Sequence, residues 1–158
     1  WKGNPVTLLG HAVTVGDKAP DFRLSGGDLS EVTLSDALDG GKRAVMFLVV
    51  PSLDTSVCSI ETAKFSKRID ALPPDKLKTY AVSMDLPFAQ KRWCIAETVQ
   101  NIGMLSDFRD HSFGYAYGVR AKEQGLLARA IFIIGKIGSV IYAQLVHDST
   151  HEQTEQAR

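Results

Sequence analysis

Two cysteines, Cys58 and Cys94, are the side chains in this 158-residue protein best suited to chemistry. Cys58 closes the run Pro51-Ser52-Leu53-Asp54-Thr55-Ser56-Val57-Cys58, after the apolar stretch Ala44 to Val50 and before an amphipathic segment. That placement predicts a thiol at a strand-to-helix junction. Free backbone N–H groups and the positive end of the helix dipole there favour thiolate over thiol. Thr55 is the expected N-cap, which puts Cys58 at the third helical position, and Pro51 stiffens the loop entry. A free cysteine with a pKa of about 8.5 is only about 3% thiolate at pH 7, so a pKa near 6 is a roughly thirty-fold gain in nucleophile. The competing reading is a buried thiol used as a small hydrophobe. Spacing alone leaves both open. Cys94, in Arg92-Trp93-Cys94-Ile95-Ala96, lies inside a predicted helix and on position alone reads as a core thiol beside Trp93. Arg129, just before Ala130-Ile131-Phe132-Ile133-Ile134, reads on position as a charge at the mouth of a strand, with Arg120, Lys122 and Arg92 as rival cations.

The elements that must position these groups follow from pattern. Ala44 to Val50 has no polar alternation, the mark of a central strand covered on both faces. A helix is predicted from about Cys58 to Ala71. Ile60, Ala63, Phe65, Ile69 and Leu72 form its apolar stripe, Glu61, Lys64, Lys67 and Arg68 face water, and Pro73-Pro74 stops it. Lys78 to Ser83 is the next strand, followed by a helix near Phe88 to Val99, a β segment at Ile102 to Leu105 and a helix from Phe108 to Tyr117. Ala130 to Ile134 and Val140 to Val146 make a late antiparallel pair around Gly135-Lys136-Ile137-Gly138. At the start, Val6 to Gly10 and Ala12 to Val15 predict a hairpin around Gly10-His11. Val32 to Leu34 gives way to a short helix ended by Gly40-Gly41. This order predicts an α/β fold of the thioredoxin-like class: a mixed central sheet, helices on both faces and an N-terminal β-hairpin.

Composition narrows the field. With 44% hydrophobic residues, one domain spanning residues 1–158 is expected, its tail from about 149 polar and either truncated or disordered. The 18 basic and 18 acidic residues balance and are spread along the chain, which gives no footprint for nucleic acid. The longest apolar run is too short to span a bilayer. Trp1-Lys2-Gly3-Asn4-Pro5 has neither an initiating Met nor a signal-peptide core, so a trimmed amino terminus is expected, and a cleaved leader would leave no trace. Two cysteines are too few for a disulfide-stapled scaffold. His147 and His151 are four apart near a polar end, and no histidine is spaced to join a cysteine in a zinc site, so no metal is expected.

Pro51, Thr55 and Cys58 occupy the three defining positions of the peroxiredoxin active-site motif. The loop Pro51 to Thr55 closely resembles that of the bacterial thiol peroxidase subfamily, usually written with Ile where this chain has Leu53. Ser83-Met84-Asp85-Leu86-Pro87-Phe88-Ala89-Gln90-Lys91-Arg92-Trp93-Cys94 resembles that subfamily's resolving-cysteine segment. Lys2 to Val6 is similar to its amino-terminal hairpin, and Leu127-Ala128-Arg129-Ala130 to its distal arginine. The resemblance runs from Lys2 to about Asp148. It implies an atypical two-cysteine peroxidase in which Cys58 attacks a hydroperoxide and becomes a sulfenic acid. Cys94 then closes an intramolecular disulfide, and thioredoxin reduces it. By the same resemblance Arg129 and Thr55 stabilise thiolate and peroxide, alkyl hydroperoxides are favoured over hydrogen peroxide, no cofactor is used and the protein is a homodimer. A cytoplasmic location is expected, the periplasm staying open because of the trimmed end. Both cysteines lie in predicted helices and a bridge needs Cα atoms within about 7 Å, so one or both turns must unwind in each cycle. A redox sensor using the same disulfide, an inert thioredoxin-fold binding module and another peroxiredoxin or glutathione-dependent subclass are the alternatives. The chain departs from the subfamily at its end, where Ser149 to Arg158 lacks the usual amphipathic helix, and at the glycine-rich turn Gly135 to Gly138.

Overall fold

The computed structural model describes residues 6–69 and 76–146, with the backbone only for Ser56, Val57 and Cys58. In chain order the strands are β1 (Leu8–Leu9), β2 (Leu24–Ser25), β3 (Glu31–Val32), β4 (Ala44–Val49), β5 (Leu77–Ser83), β6 (Ile102–Ser106), β7 (Arg120–Ala121), β8 (Leu126–Leu127), β9 (Ala130–Ile134) and β10 (Val140–Leu145). The helices are α1 (Leu34–Ala37), α2 (Ser56–Ile69), α3 (Pro87–Glu97) and α4 (Ser112–Ala116).

Among the described residues, seven strands form one sheet in the order β10-β9-β4-β5-β6-β2-β3. β4, β5 and β6 run parallel, whereas β9 lies antiparallel to β4 and β10 antiparallel to β9. The mixed sheet is as expected, and β4 sits in its interior. The strand period of two divides its side chains between the two faces. Val45, Phe47 and Val49 join a cluster with Ala37 and Leu38 at α1 and Phe113 and Tyr117 at α4. Met46, Leu48 and Val50 join a second cluster with Phe65 of α2 and Trp93 of α3. Each fully buried aliphatic or aromatic side chain of this kind contributes about 1.5–3 kcal/mol. Phe47 anchors the first cluster edge-to-face, with ring centroids 5.4 Å from both Phe22 and Phe113.

Three expectations need correction. Leu8–Leu9 does not form a hairpin with Ala12–Val15, which is not a strand; it pairs antiparallel with Arg120–Ala121. Gly10, at φ +100°, lets the chain pass so close to α4 that a Cβ would stand 2.0 Å from the Tyr115 carbonyl oxygen, and the next N–H, of His11, donates to that oxygen at 3.0 Å. Residues 2–5, also assigned to a leading hairpin, lie outside the described residues. The helix predicted from Phe108 begins only at Ser112. Asp107 accounts for this: its carboxylate accepts the N–H of Phe113 at 3.1 Å and of Gly114 at 2.9 Å, and His111 takes a left-handed φ of 56° at the helix entry. On α2, Ile60 is exposed and Glu61 is 2% exposed, the reverse of the predicted faces. Ala71, Leu72, Pro73-Pro74, His147, His151 and the polar tail from 149 lie outside the described residues. Among the described residues no helix is long and apolar enough to cross a membrane.

Candidate active site

The site is built where β4 ends and α2 begins. Val50 and Pro51 are buried; the Val50 N–H donates to the Val82 carbonyl at 3.0 Å, which carries the parallel pairing to the loop entry. Beyond it, Ser52–Thr55 folds back on itself. The Thr55 hydroxyl donates to the Ser52 carbonyl at 2.9 Å, and the Asp54 N–H donates to Ser52 Oγ at 3.0 Å. Thr55 stands immediately before the first residue of α2, and its carbonyl accepts the Ser59 N–H at 2.9 Å, the first bond of the helix. Counting from Ser56, Cys58 is the third residue of α2, within the first turn, where helix amides lack intrahelical partners. Because the Thr55 hydroxyl proton is committed to Ser52, the oxygen faces its surroundings as an acceptor.

Arg129 reaches this region through the antiparallel pairing of β9 with β4. Ala130 lies opposite Val49, so Arg129, one residue earlier, stands beside the end of β4. It is only 2% exposed, and Nη1 donates to Glu61 Oε2 at 3.2 Å. Glu61 follows Cys58 by three residues, so the pair ties the arginine to the first turns of α2. Taking two charges out of water is costly, and such a pair persists only when geometry and further hydrogen bonds compensate. The rival cations are placed differently. Lys122 is exposed, and its N–H donates to the Thr7 carbonyl. Arg120 lies on β7 by Asp107, its Nη1 donating to the Ala121 carbonyl at 3.4 Å. Arg92 is exposed and pairs with Asp54 of the loop at 3.6 Å.

Cys94 occupies α3, partly buried against the cluster of Leu48, Phe65 and Trp93. Burial pushes its thiol pKa up. Its carbonyl accepts the Val99 N–H at 2.9 Å where Thr98, at φ 55°, ends the helix. α3 is pinned to the sheet by Gln90, whose Nε2 donates to Ser83 Oγ at 3.1 Å and to the Leu105 carbonyl at 2.9 Å. It is pinned to α2 by Trp93, whose Nε1 donates to Ser59 Oγ at 2.9 Å.

Three participants escaped the sequence reading. Glu61 was assigned to solvent because a carboxylate beside lysines in an amphipathic segment ordinarily sits there. The separation Cys58-x-x-Glu61 was its signal, since residues three apart share a helix face. Asp85 has in sequence only its place at a helix entry within the Ser83 to Cys94 segment, yet it accepts three hydrogen bonds from Ser52, Leu53 and Ser83. Ser59 carried no signal apart from its place next to Cys58.

A mixed sheet in this order, with helices on both faces and a cysteine in the helix after an interior strand, defines the thioredoxin-like class. Comparison with known proteins narrows this. The AhpC/TSA family matches residues 15–143. The thiol peroxidase of Listeria monocytogenes is 49% identical over 158 residues, covering 99% of this chain and 93% of that protein. That of Bacillus subtilis is 44% identical over 151 residues, covering 96% and 87%. The crystal structure of a peroxiredoxin-like protein from Aquifex aeolicus superposes with a TM-score of 0.88 at 43% identity, covering 98% of this chain and 88% of that one. The chain belongs to the AhpC/TSA family.

Proposed function

We propose that this protein is a thiol-dependent peroxidase in which Cys58 is the attacking nucleophile and Cys94 the resolving one. The observation that carries the assignment is the placement of Cys58 at the third residue of α2, three residues ahead of Glu61, whose carboxylate holds buried Arg129. Helix amides and a fixed guanidinium favour negative charge there, and that charge makes the thiol reactive. Kinship with proteins named thiol peroxidase at 49% and 44% identity supports the reaction class.

In the first step the Cys58 thiolate attacks one peroxide oxygen. An S–O bond forms, the O–O bond breaks, and the other oxygen leaves as alcohol or water after taking a proton. Arg129 and the amides of the first turn stabilise the developing charge, and the Thr55 oxygen accepts the hydroperoxide O–H and aligns it. Pro51 keeps the loop entry rigid. In the second step the Cys94 sulfur attacks the Cys58 sulfenic acid; an S–S bond forms and water leaves. An external dithiol, thioredoxin by family kinship, then reduces the disulfide by exchange and is itself oxidised. Alkyl hydroperoxides and hydrogen peroxide are the proposed substrates. The bacterial cytoplasm, which keeps dithiols reduced, is the proposed compartment. Action as one domain and as a homodimer is likewise proposed from kinship.

The test is intact mass and peptide mapping after one equivalent of an organic hydroperoxide, followed by turnover with thioredoxin. Loss of two hydrogens with a Cys58–Cys94 peptide is expected. Cys58→Ser abolishes turnover, and Cys94→Ser permits one oxidation but no cycling. Full turnover in Cys58→Ser overturns the assignment.

A further inference from the structure

Besides the exposed Arg92–Asp54 pair, the cysteine loop is held at the entry to the helix that carries Cys94 by hydrogen bonds that meet at Asp85. Its Oδ1 accepts the Ser52 hydroxyl at 2.7 Å, and its Oδ2 accepts the Leu53 N–H at 2.8 Å and the Ser83 hydroxyl at 2.9 Å. Its main-chain carbonyl accepts the Ser106 hydroxyl at 2.5 Å, which fixes the residue to the end of β6. Two of the three donors to the carboxylate thus come from the loop leading to Cys58, and the third is the last residue of β5. Asp85 itself stands two residues before Pro87, the first residue of the helix that carries Cys94.

We infer that Asp85 is a positioning residue, a latch that holds the loop in its peroxide-ready arrangement and must release it before the disulfide closes. The inference rests on the peroxidase reading above. The latch acts through Ser52. Asp85 fixes the Ser52 side chain, and the Ser52 carbonyl takes the Thr55 hydroxyl proton at 2.9 Å, which sets the direction of the Thr55 oxygen. A carboxylate suits this role because all three of its partners are donors and it has only acceptors to offer. An amide suits it less. With its NH2 towards Leu53 N–H a donor meets a donor, with its NH2 towards Ser52 the hydroxyl must turn its proton elsewhere, and in either orientation the charged acceptor is lost. Loosening the latch therefore has opposite effects on the two chemical steps. Attack of Cys58 on peroxide loses its aligned loop and slows. Formation of the S–S bond with loss of water needs the same loop to move, and it quickens.

The experiment compares wild type, Asp85→Asn and Ser52→Ala in rapid-quench alkylation and mass analysis after one equivalent of hydroperoxide. Amide hydrogen exchange of the reduced proteins over residues 52–58 is measured alongside. The expected result is Cys58 oxidation slower by roughly tenfold, the scale of one lost hydrogen bond to a charged acceptor. Disulfide formation becomes several-fold faster and exchange rises over the loop but not over β5. The Ser52→Ala protein serves if Asp85→Asn fails to fold. Both steps slowed in parallel, or rates and exchange unchanged, overturns the latch. A wild type that consumes no peroxide sinks the peroxidase reading instead, and the loop exchange then decides the latch alone: a rise supports it, no rise overturns it.

Discussion

The Trp93 indole N–H donates to the Ser59 hydroxyl at 2.9 Å, joining the residue before Cys94 to the residue after Cys58. The indole ring is buried with Leu48 and Phe65 while Ser59 is half-buried, so the bond is partly shielded from competing water. The proposed bridge requires the helices on either side of this bond to rearrange. Trp93→Phe keeps most of the apolar burial and removes the donor. We expect a loss of about 0.5–1.5 kcal/mol in urea unfolding. One equivalent of hydroperoxide is expected to change Trp93 emission in the wild type, and this variant, which keeps only Trp1, is expected to lack that change.

The buried Arg129–Glu61 pair makes a different demand. Removing one partner takes from the other its nearby counter-charge in a site almost closed to solvent. Glu61→Ala is therefore expected to destabilise the fold by about 3–5 kcal/mol. Arg129→Lys keeps a charge but loses the planar fork that aims several N–H groups at once. Peroxide consumption by that variant should fall by about 10²–10³-fold, the scale of losing an aligned donor to a developing anion. Stopped-flow oxidation beside thermal melts separates the two effects. An Arg129→Lys protein with wild-type rates would remove the arginine from the mechanism.

What was legible in the sequence was what rests on local pattern. The apolar run Ala44 to Val50 reads as an interior strand, which the structure forms over Ala44–Val49, and Thr55 ahead of an amphipathic segment places the start of α2 and hence Cys58. Long-range choices were not legible. Leu8–Leu9 chose Arg120–Ala121 over the adjacent Ala12–Val15, a pairing that no local periodicity encodes. Leu24–Ser25 is too short to show alternation, yet it extends the sheet beyond β6. On α2 the exchange of roles between Ile60 and Glu61 follows from Arg129 arriving beside β4. A charge can be buried once its counter-charge is supplied from another strand, and helical period alone cannot anticipate that.

Asp107 makes stability depend on pH. Burial pushes its carboxyl up to about 6 from the ordinary 3.8, against the lowering influence of the Gly114 and Phe113 N–H groups and of nearby His111 and Arg120. The folded state therefore holds the proton more tightly than the unfolded chain. Its contribution is fully present below the unfolded value, declines as pH rises from about 4 towards 6, and is lost above that. The span corresponds to about 3 kcal/mol. Urea midpoints measured from pH 4 to pH 7 should fall over that window for this group. Asp107→Asn should flatten the fall while lowering stability throughout, because its amide nitrogen cannot accept a backbone N–H. Identical slopes in both proteins would rule out Asp107 as the source.

Burial raises the Cys94 pKa, so the two proposed chemical steps should respond differently to pH. Burial against Leu48, Phe65 and Trp93 penalises its thiolate, whereas Cys58 sits where helix amides favour one. Attack on a sulfenic acid needs the thiolate of the attacking cysteine. Disulfide formation in a single turnover should therefore accelerate from pH 7 to pH 9, approaching tenfold per pH unit while Cys94 remains mostly protonated. Cys58 oxidation should stay nearly flat over the same range. Rapid-quench alkylation at a series of pH values measures both steps in one sample, sulfenic acid and disulfide being separated by mass. A disulfide rate that levels off near pH 7 would mean that the attacking thiol ionises easily, and the resolving role would then have to be carried by a Cys94 freed from its helix before attack.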